Sequence, residues 1–188
     1  YYRVYSEKNT ELWSLYHHNR ISKETLIVER FRYPLQRVGA YNDKLVLQLN
    51  ADYLSVLSEQ GELVPQAREL LDYLKSRSYR LHIISNGFKE VQFKKMKSAG
   101  IENYFEKIIL SDEVGVNKPH PDIFRYALNK TGSSKNTSLM IGDNYDADIL
   151  GAMRSGLDQV YFNPLQKQIP DEFPTYEVQT LSEIQDIL

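Results

Sequence analysis

Three short apolar runs in the 188-residue chain each end in small polar or acidic side chains. Residues 79–84 run into Ser85-Asn86-Gly87, residues 107–110 lead through Ser111-Asp112 to Lys118, and residues 138–141 end in Gly142-Asp143, with Asp148 further on. If these runs are parallel strands of an open sheet, the groups meet in the crevice beyond the strands' carboxyl ends, where open α/β sheets bind ligands. A hydroxyl, an ammonium and a carboxylate meeting there suit a phosphate beside a divalent cation. Lys118 would neutralise phosphate charge as a compact cation. Ser85, with the backbone N–H groups of Asn86 and Gly87 at a helix N-terminus, would bind phosphate oxygens. Asp143 offers the hard oxygen that magnesium prefers.

Each residue also has an ordinary structural use. Ser85 and Asn86 suit a strand end and a helix cap, and Lys118 suits a solvated loop. Asp143 and Asp148 suit a helix N-terminus, where each carboxylate is worth about 0.3–1 kcal/mol. Singly, these uses are the commoner ones. All four residues at matching strand ends make the shared site the better reading.

The elements that must position them follow from periodicity. Before residue 61 the chain reads as helices. Leu45, Val46, Leu49, Tyr53, Leu54 and Leu57 keep one apolar stripe over residues 42–58, and Ser22 caps a helix carrying Leu26, Ile27 and Phe31. Residues 5–16 form a third helix. From residue 64 onward helical and strand patterns alternate. A helix with Leu70, Leu71 and Leu74 precedes the first strand, and helices over 89–99, from Pro121, and over 145–155 separate it from strands at 107–110, 138–141 and 159–162. Gly100, Gly132 and Gly156 stop those helices. Such alternation is the signature of βαβ units and a parallel sheet. The reading is an α/β fold, a doubly wound parallel sheet over residues 61–188, preceded by an all-helical module over residues 1–60.

Composition narrows the partners. The 23 basic and 25 acidic residues leave a net charge of −2, which provides no basic field for a nucleic-acid polymer. No apolar run approaches the roughly 20 residues that span a bilayer, so no membrane partner is expected. Cysteine is absent, which removes disulfides, thiolate metal sites and a cysteine nucleophile and fits a cytoplasmic protein.

The polar strand ends resemble the motifs of the haloacid dehalogenase (HAD) superfamily, subfamily I. Ile83-Ile84-Ser85-Asn86-Gly87 is similar to motif II. The stretch from Asp112 to Phe124, centred on Lys118-Pro119, is similar to motif III, and Gly142-Asp143 through Asp148 is similar to the acidic motif IV, G-D-x-x-x-x-D. The helical residues before Gly61 resemble the α-helical cap of this subfamily. The resemblance implies phosphate-ester hydrolysis through an aspartyl-phosphate, with Mg2+ as cofactor and a small phosphorylated metabolite as substrate, in a monomer or homodimer. It gives Ser85 the phosphate contact and has Lys118 bridge nucleophile and phosphate as a catalytic residue. It makes Asp143 a metal ligand, and Asp148 either a ligand through water or the residue that orients Lys118. The blocks around Ser85, Glu113 to Val116, and Asp143 to Gly151 look closest to small 5′-nucleotidases acting on pyrimidine nucleoside monophosphates. Haloacid dehalogenases lack the paired motif IV carboxylates that this chain keeps. That dehalogenase, a phosphomutase, and a non-catalytic phosphate-binding pseudo-phosphatase are the alternatives.

One departure stands out. Motif I, D-x-D-x-T, which supplies the nucleophile, has no match in the chain, and the aspartates before Ser85 (Asp43, Asp52 and Asp72) all fall in helical patterns. The first core strand, central in this fold, is missing with it, which would leave unpaired backbone groups on either side. The expectation is that an N-terminal stretch carrying this strand exists in the parent protein. In the cap, Trp13, Tyr16, Phe31, Tyr41 and Tyr53 could stack on a base, but at helical spacing packing is the expected role for most. His17 and His18, roughly 100° apart on a helix, cannot chelate one ion and are expected at the surface.

Overall fold

The computed structural model describes residues 1–169 and 172–188. Three helices open the chain: α1 (Tyr2–His17), α2 (Lys23–Arg37) and α3 (Asp43–Glu59). The side chains of Ser22 and Asn42 accept the backbone N–H groups of Thr25 and Leu45 at 3.2 Å each, satisfying donors that a helix start leaves open. The apolar stripes meet as expected. Phe31, Leu35 and Val46 are buried together with Tyr5 and Tyr53 against them, while Leu12, Tyr16 and Leu26 bury against Phe88 and Val91 from beyond residue 61. Of the five cap aromatics, Trp13, Tyr16, Phe31 and Tyr53 pack, and Tyr41 is exposed.

After a connecting segment come α4 (Ala67–Ser76), β1 (Leu81–Ser85), α5 (Lys89–Ser98), β2 (Phe105–Leu110), α6 (Ser111–Val114), α7 (Pro121–Thr131), β3 (Leu139–Gly142), α8 (Gly151–Arg154), β4 (Asp158–Phe162), β5 (Tyr176–Val178) and α9 (Ile184–Ile187). All strand pairings are parallel. β1 pairs with β2, with Ser85 opposite Leu110, and β3–β4–β5 forms a second ladder, with Gly142 opposite Tyr161. Helices cover both faces. Ile109, Ile123, Phe124, Ala127, Ala152 and Leu157 fill the side under α7 and α8, while Leu70, Leu74, Val160, Val178 and Ile184 fill the side under α4 and α9. The chain is α/β, as the alternating periodicity implies. Among the described residues no helix is long and apolar enough to cross a membrane.

Two details differ from the sequence reading, and a third matches it. β5, α6 and α9 are three or four residues long, too short for a hydrophobic period to show. The helix read from residue 145 opens instead with a π-helical turn over Tyr145–Leu150, for a reason given below. β1 and β3 share no ladder among the described residues, and between them lies a cavity of about 940 Å³ lined by Leu81, Ile83, Ser85, Leu139, Ile141 and Gly142. This slot is where the sequence reading places unpaired strand edges.

Candidate active site

The carboxyl ends of β1 and β3 carry the site. Ser85 ends β1, Gly142 ends β3 with Asp143 following, and Lys118 sits in the segment between α6 and α7. Ser85, Lys118, Asp143 and Asp148 all line the one cavity, so the sequence-distant hydroxyl, ammonium and carboxylates do converge.

Lys118 is the most constrained of them. Its side chain is buried, and its Nζ donates to Asp148 Oδ1 and to the Ile84 carbonyl, each at 2.6 Å. An ammonium has three N–H donors, so one remains for a ligand. The ion pair is buried on both sides, with side-chain exposures of 10% and 7%. Such a pair fixes geometry more surely than it adds stability. The other Asp148 oxygen, Oδ2, accepts the Asn144 backbone N–H at 3.1 Å. That return contact explains the π turn: the Ile149 N–H reaches back to the Asn144 carbonyl, five residues away, and the widened turn lets Asp148 bend toward both Asn144 and Lys118. π turns recur at functional sites for this kind of reason.

The first residue of motif IV also has a physical cause. A Cβ on Gly142 would stand 2.6 Å from Asp148 Cγ, closer than real Cβ contacts come. Gly142→Ala is expected to push Asp148 away from Lys118, at about 1–3 kcal/mol of overpacking. The check is a melting curve lowered by roughly 2–10 °C, together with reduced turnover.

The side chain of Asn86 has a role the sequence reading does not assign. Its amide is buried and engaged at both ends: Nδ2 donates to the Lys118 carbonyl and Oδ1 accepts the Lys118 N–H, both at 2.8 Å. The side chain therefore clamps the Lys118 backbone to the end of β1 and is not available to a phosphate. The expectation that the Gly87 N–H faces a phosphate is the one corrected. That N–H donates to Ser85 Oγ at 3.0 Å, which orients the hydroxyl and leaves the Ser85 O–H free to donate outward. Asp148 accepts from Lys118 through one oxygen and from the Asn144 N–H through the other, contacts that hold Lys118 in place.

Asp143 is exposed, and its carboxylate has no hydrogen bond or ion pair among the described residues. No group of three or more His, Cys, Asp or Glu side chains is gathered to hold a metal ion among those residues. The donor set thus fits an ion that takes one protein carboxylate and draws its other oxygens from water and substrate phosphate, as magnesium commonly does. Asp43, Asp52 and Asp72 lie in α3 and α4, away from the cavity; Asp52 accepts from Gln48, and Asp72 accepts from the Tyr104 hydroxyl at 2.5 Å.

Sequence reasoning missed the contacts that seat α1 over the site. Asn117 Nδ2 donates to the Tyr16 carbonyl at 2.6 Å, and His18 Nε2 lies 3.3 Å from Asp146 Oδ2. His18 is thus tied to the acidic loop, and His17 is half-buried, not on the open surface. These contacts join residues far apart in sequence, and no local spacing signals them.

Comparison with known proteins gives the family and the fold. The profile of the haloacid dehalogenase-like hydrolase family matches residues 17–162. The HAD-hydrolase YfnB of Bacillus subtilis is 30% identical over 98% of this chain and 78% of its own length, and its magnesium-bound crystal structure superposes with a TM-score of 0.90 over 97% of this chain and 79% of that chain. The pyrimidine 5′-nucleotidase YjjG of Escherichia coli is 31% identical over 100% of this chain and 82% of its own. The L-2-haloacid dehalogenase of Xanthobacter autotrophicus, at 19% identity over 98% of this chain and 83% of that chain, shares the fold with a TM-score of 0.78. With three motif ends converging on one cavity and a family profile spanning most of its length, this chain belongs to the haloacid dehalogenase-like hydrolase family.

Proposed function

We propose that the protein is a magnesium-dependent phosphate monoester hydrolase acting on small phosphorylated metabolites, with pyrimidine nucleoside monophosphates as the substrate class. The observation that carries this reading is the single cavity holding the Ser85 hydroxyl, the locked Lys118 ammonium and the Asp143 carboxylate at the ends of parallel strands. The similarity to YjjG supports the substrate class.

In this reading the phosphoryl group sits between Ser85 and Lys118. The Ser85 O–H and the remaining Lys118 N–H donate to its non-bridging oxygens. These donors are held in place before the reaction, so they stabilise charge as it develops. In this reading a carboxylate nucleophile attacks from the side of the slot between β1 and β3. Its oxygen bonds to phosphorus as the ester P–O bond breaks and the leaving alkoxide takes a proton. Water then cleaves the acyl phosphate to release inorganic phosphate and restore the carboxylate. Asp143 would hold magnesium, which when bound supplies positive charge to the phosphoryl oxygens.

The test is an assay of the full-length protein on p-nitrophenyl phosphate and a nucleoside monophosphate panel, with magnesium and with EDTA. Magnesium-dependent phosphate release, largest with pyrimidine nucleotides, is the expected result. Phosphate-dependent thermal stabilisation without turnover would instead mark a binding module. Halide release from 2-haloacids would mark a dehalogenase, and dependence on a sugar bisphosphate a mutase. Asp143→Asn sharpens the test. Because the side chain is exposed and unpaired among the described residues, stability should change by no more than about 0.5 kcal/mol. Turnover should fall by about 10²-fold or more, with its magnesium dependence lost.

A further inference from the structure

We propose that His17, backed by Trp13, is the residue that meets the organic part of the substrate, hydrogen-bonding a hydroxyl or carbonyl beyond the phosphate. This assignment rests on the hydrolase reading above and deepens it. His17 has no place in the phosphate machinery, yet its two neighbours are tied to that machinery. The Tyr16 carbonyl accepts from Asn117, the residue before Lys118, and His18 contacts Asp146 in the turn that carries Asp148. Between these two ties, the last residue of α1 is held close enough to Lys118 and Asp148 to feel both charges.

The ring itself is built in from the side. It lies 5.6 Å from the Trp13 indole, which stacks on Phe88 at 5.7 Å with 24° between the planes, and Phe88 directly follows Ser85-Asn86-Gly87. Tyr16 packs edge-on against both Trp13 and Phe88. Neither nitrogen of His17 has a hydrogen-bond partner among the described residues, and neither is among the fully enclosed unpaired atoms. Burial, and after it the Lys118 ammonium, push the imidazole below its ordinary pKa, against the pull of Asp148 and Asp146. A neutral imidazole offers one donor and one acceptor. One unpaired polar group backed by packed aromatic rings suits a planar, hydrogen-bonding leaving group such as a nucleoside, whereas inorganic phosphate engages only the donors around Ser85 and Lys118.

Trp13 is the one tryptophan in the sequence, so its fluorescence reports on these rings without any turnover. Uridine 5′-monophosphate is expected to change Trp13 emission in the wild-type protein, while inorganic phosphate binds without doing so. His17→Ala should raise both the apparent Kd in this titration and the KM for uridine monophosphate about 5- to 10-fold, the effect of one lost hydrogen bond. Its kcat should change far less. His17→Asn, which keeps a donor and an acceptor near the same place, should recover most of the loss. Unchanged KM and Kd in His17→Ala, a fall in kcat alone, or an Asn variant no better than Ala would each overturn the assignment. If the wild-type protein turns over no ester but uridine monophosphate still binds and His17→Ala weakens it, the hydrolase reading fails and the subsite stands.

Discussion

Replacing Lys118 by methionine should remove turnover and lower stability, and the two effects should be separable by a second substitution. Lys118 gives one hydrogen bond to Asp148, one to the Ile84 carbonyl, and has a third donor free toward the cavity. Loss of a fixed donor at developing negative charge lowers kcat by about 10²–10³-fold, and loss of a full positive charge beside phosphate puts the expected drop at the upper end. The stability effect has a different origin. Methionine fills a similar volume but leaves the Asp148 carboxylate buried, at 7% side-chain exposure, without its counter-charge. Breaking a buried pair from one side costs about 3–5 kcal/mol, which in a chain of this size lowers the melting temperature by roughly 6–20 °C. Adding Asp148→Asn removes the stranded charge and keeps an oxygen for the Asn144 N–H. The double variant should therefore melt close to wild type and remain inactive. Partial recovery of kcat along with stability would show that Lys118 acts through the fold and not on the phosphate. The measurements are a melting curve and kcat for the wild type, the single variant and the double variant.

How much of this could be read from the sequence depends on the range of each interaction. The strand ends were legible because Ile83-Ile84 and Met140-Ile141 are apolar runs cut off by Ser85 and Gly142-Asp143, a purely local pattern. The cap helices are legible because Ser22 carries capping chemistry within three residues of its partner and because residues 42–58 keep one apolar stripe. The clamp made by the Asn86 amide is not legible in the sequence because its partner is the Lys118 backbone, 32 residues away. Asp148 was left between two roles for the same reason, since only the contacts of its two oxygens separate them. His17 was read as a surface residue because its environment is made by Asn117 and Asp146 gripping its neighbours. The slot between β1 and β3 was anticipated from topology, because a parallel sheet lacking a central strand leaves two open edges wherever the side chains point.

The Asn86→Ala variant separates the clamping role of the amide from a direct contact of the amide with phosphate. If the amide bound phosphate, removing it would raise KM and leave the fold intact. The structure supports another outcome. The side chain is 6% exposed and satisfies both the N–H and the carbonyl of Lys118. Alanine would leave two buried backbone groups unpaired, each at about 1–3 kcal/mol. A loss of about 2–6 kcal/mol should appear as a melting temperature lower by roughly 4–24 °C. Turnover should fall as well, by about 10²-fold, because a displacement near 1 Å of a reacting-site group is enough for that; KM should move little. Aspartate is no remedy, although it is the same size. It keeps an acceptor for the Lys118 N–H but sets a second oxygen against the Lys118 carbonyl, so Asn86→Asp should melt no higher than Asn86→Ala. A raised KM with an unchanged melting curve in the alanine variant would return Asn86 to the phosphate, and the clamp on Lys118 would then have no energetic weight.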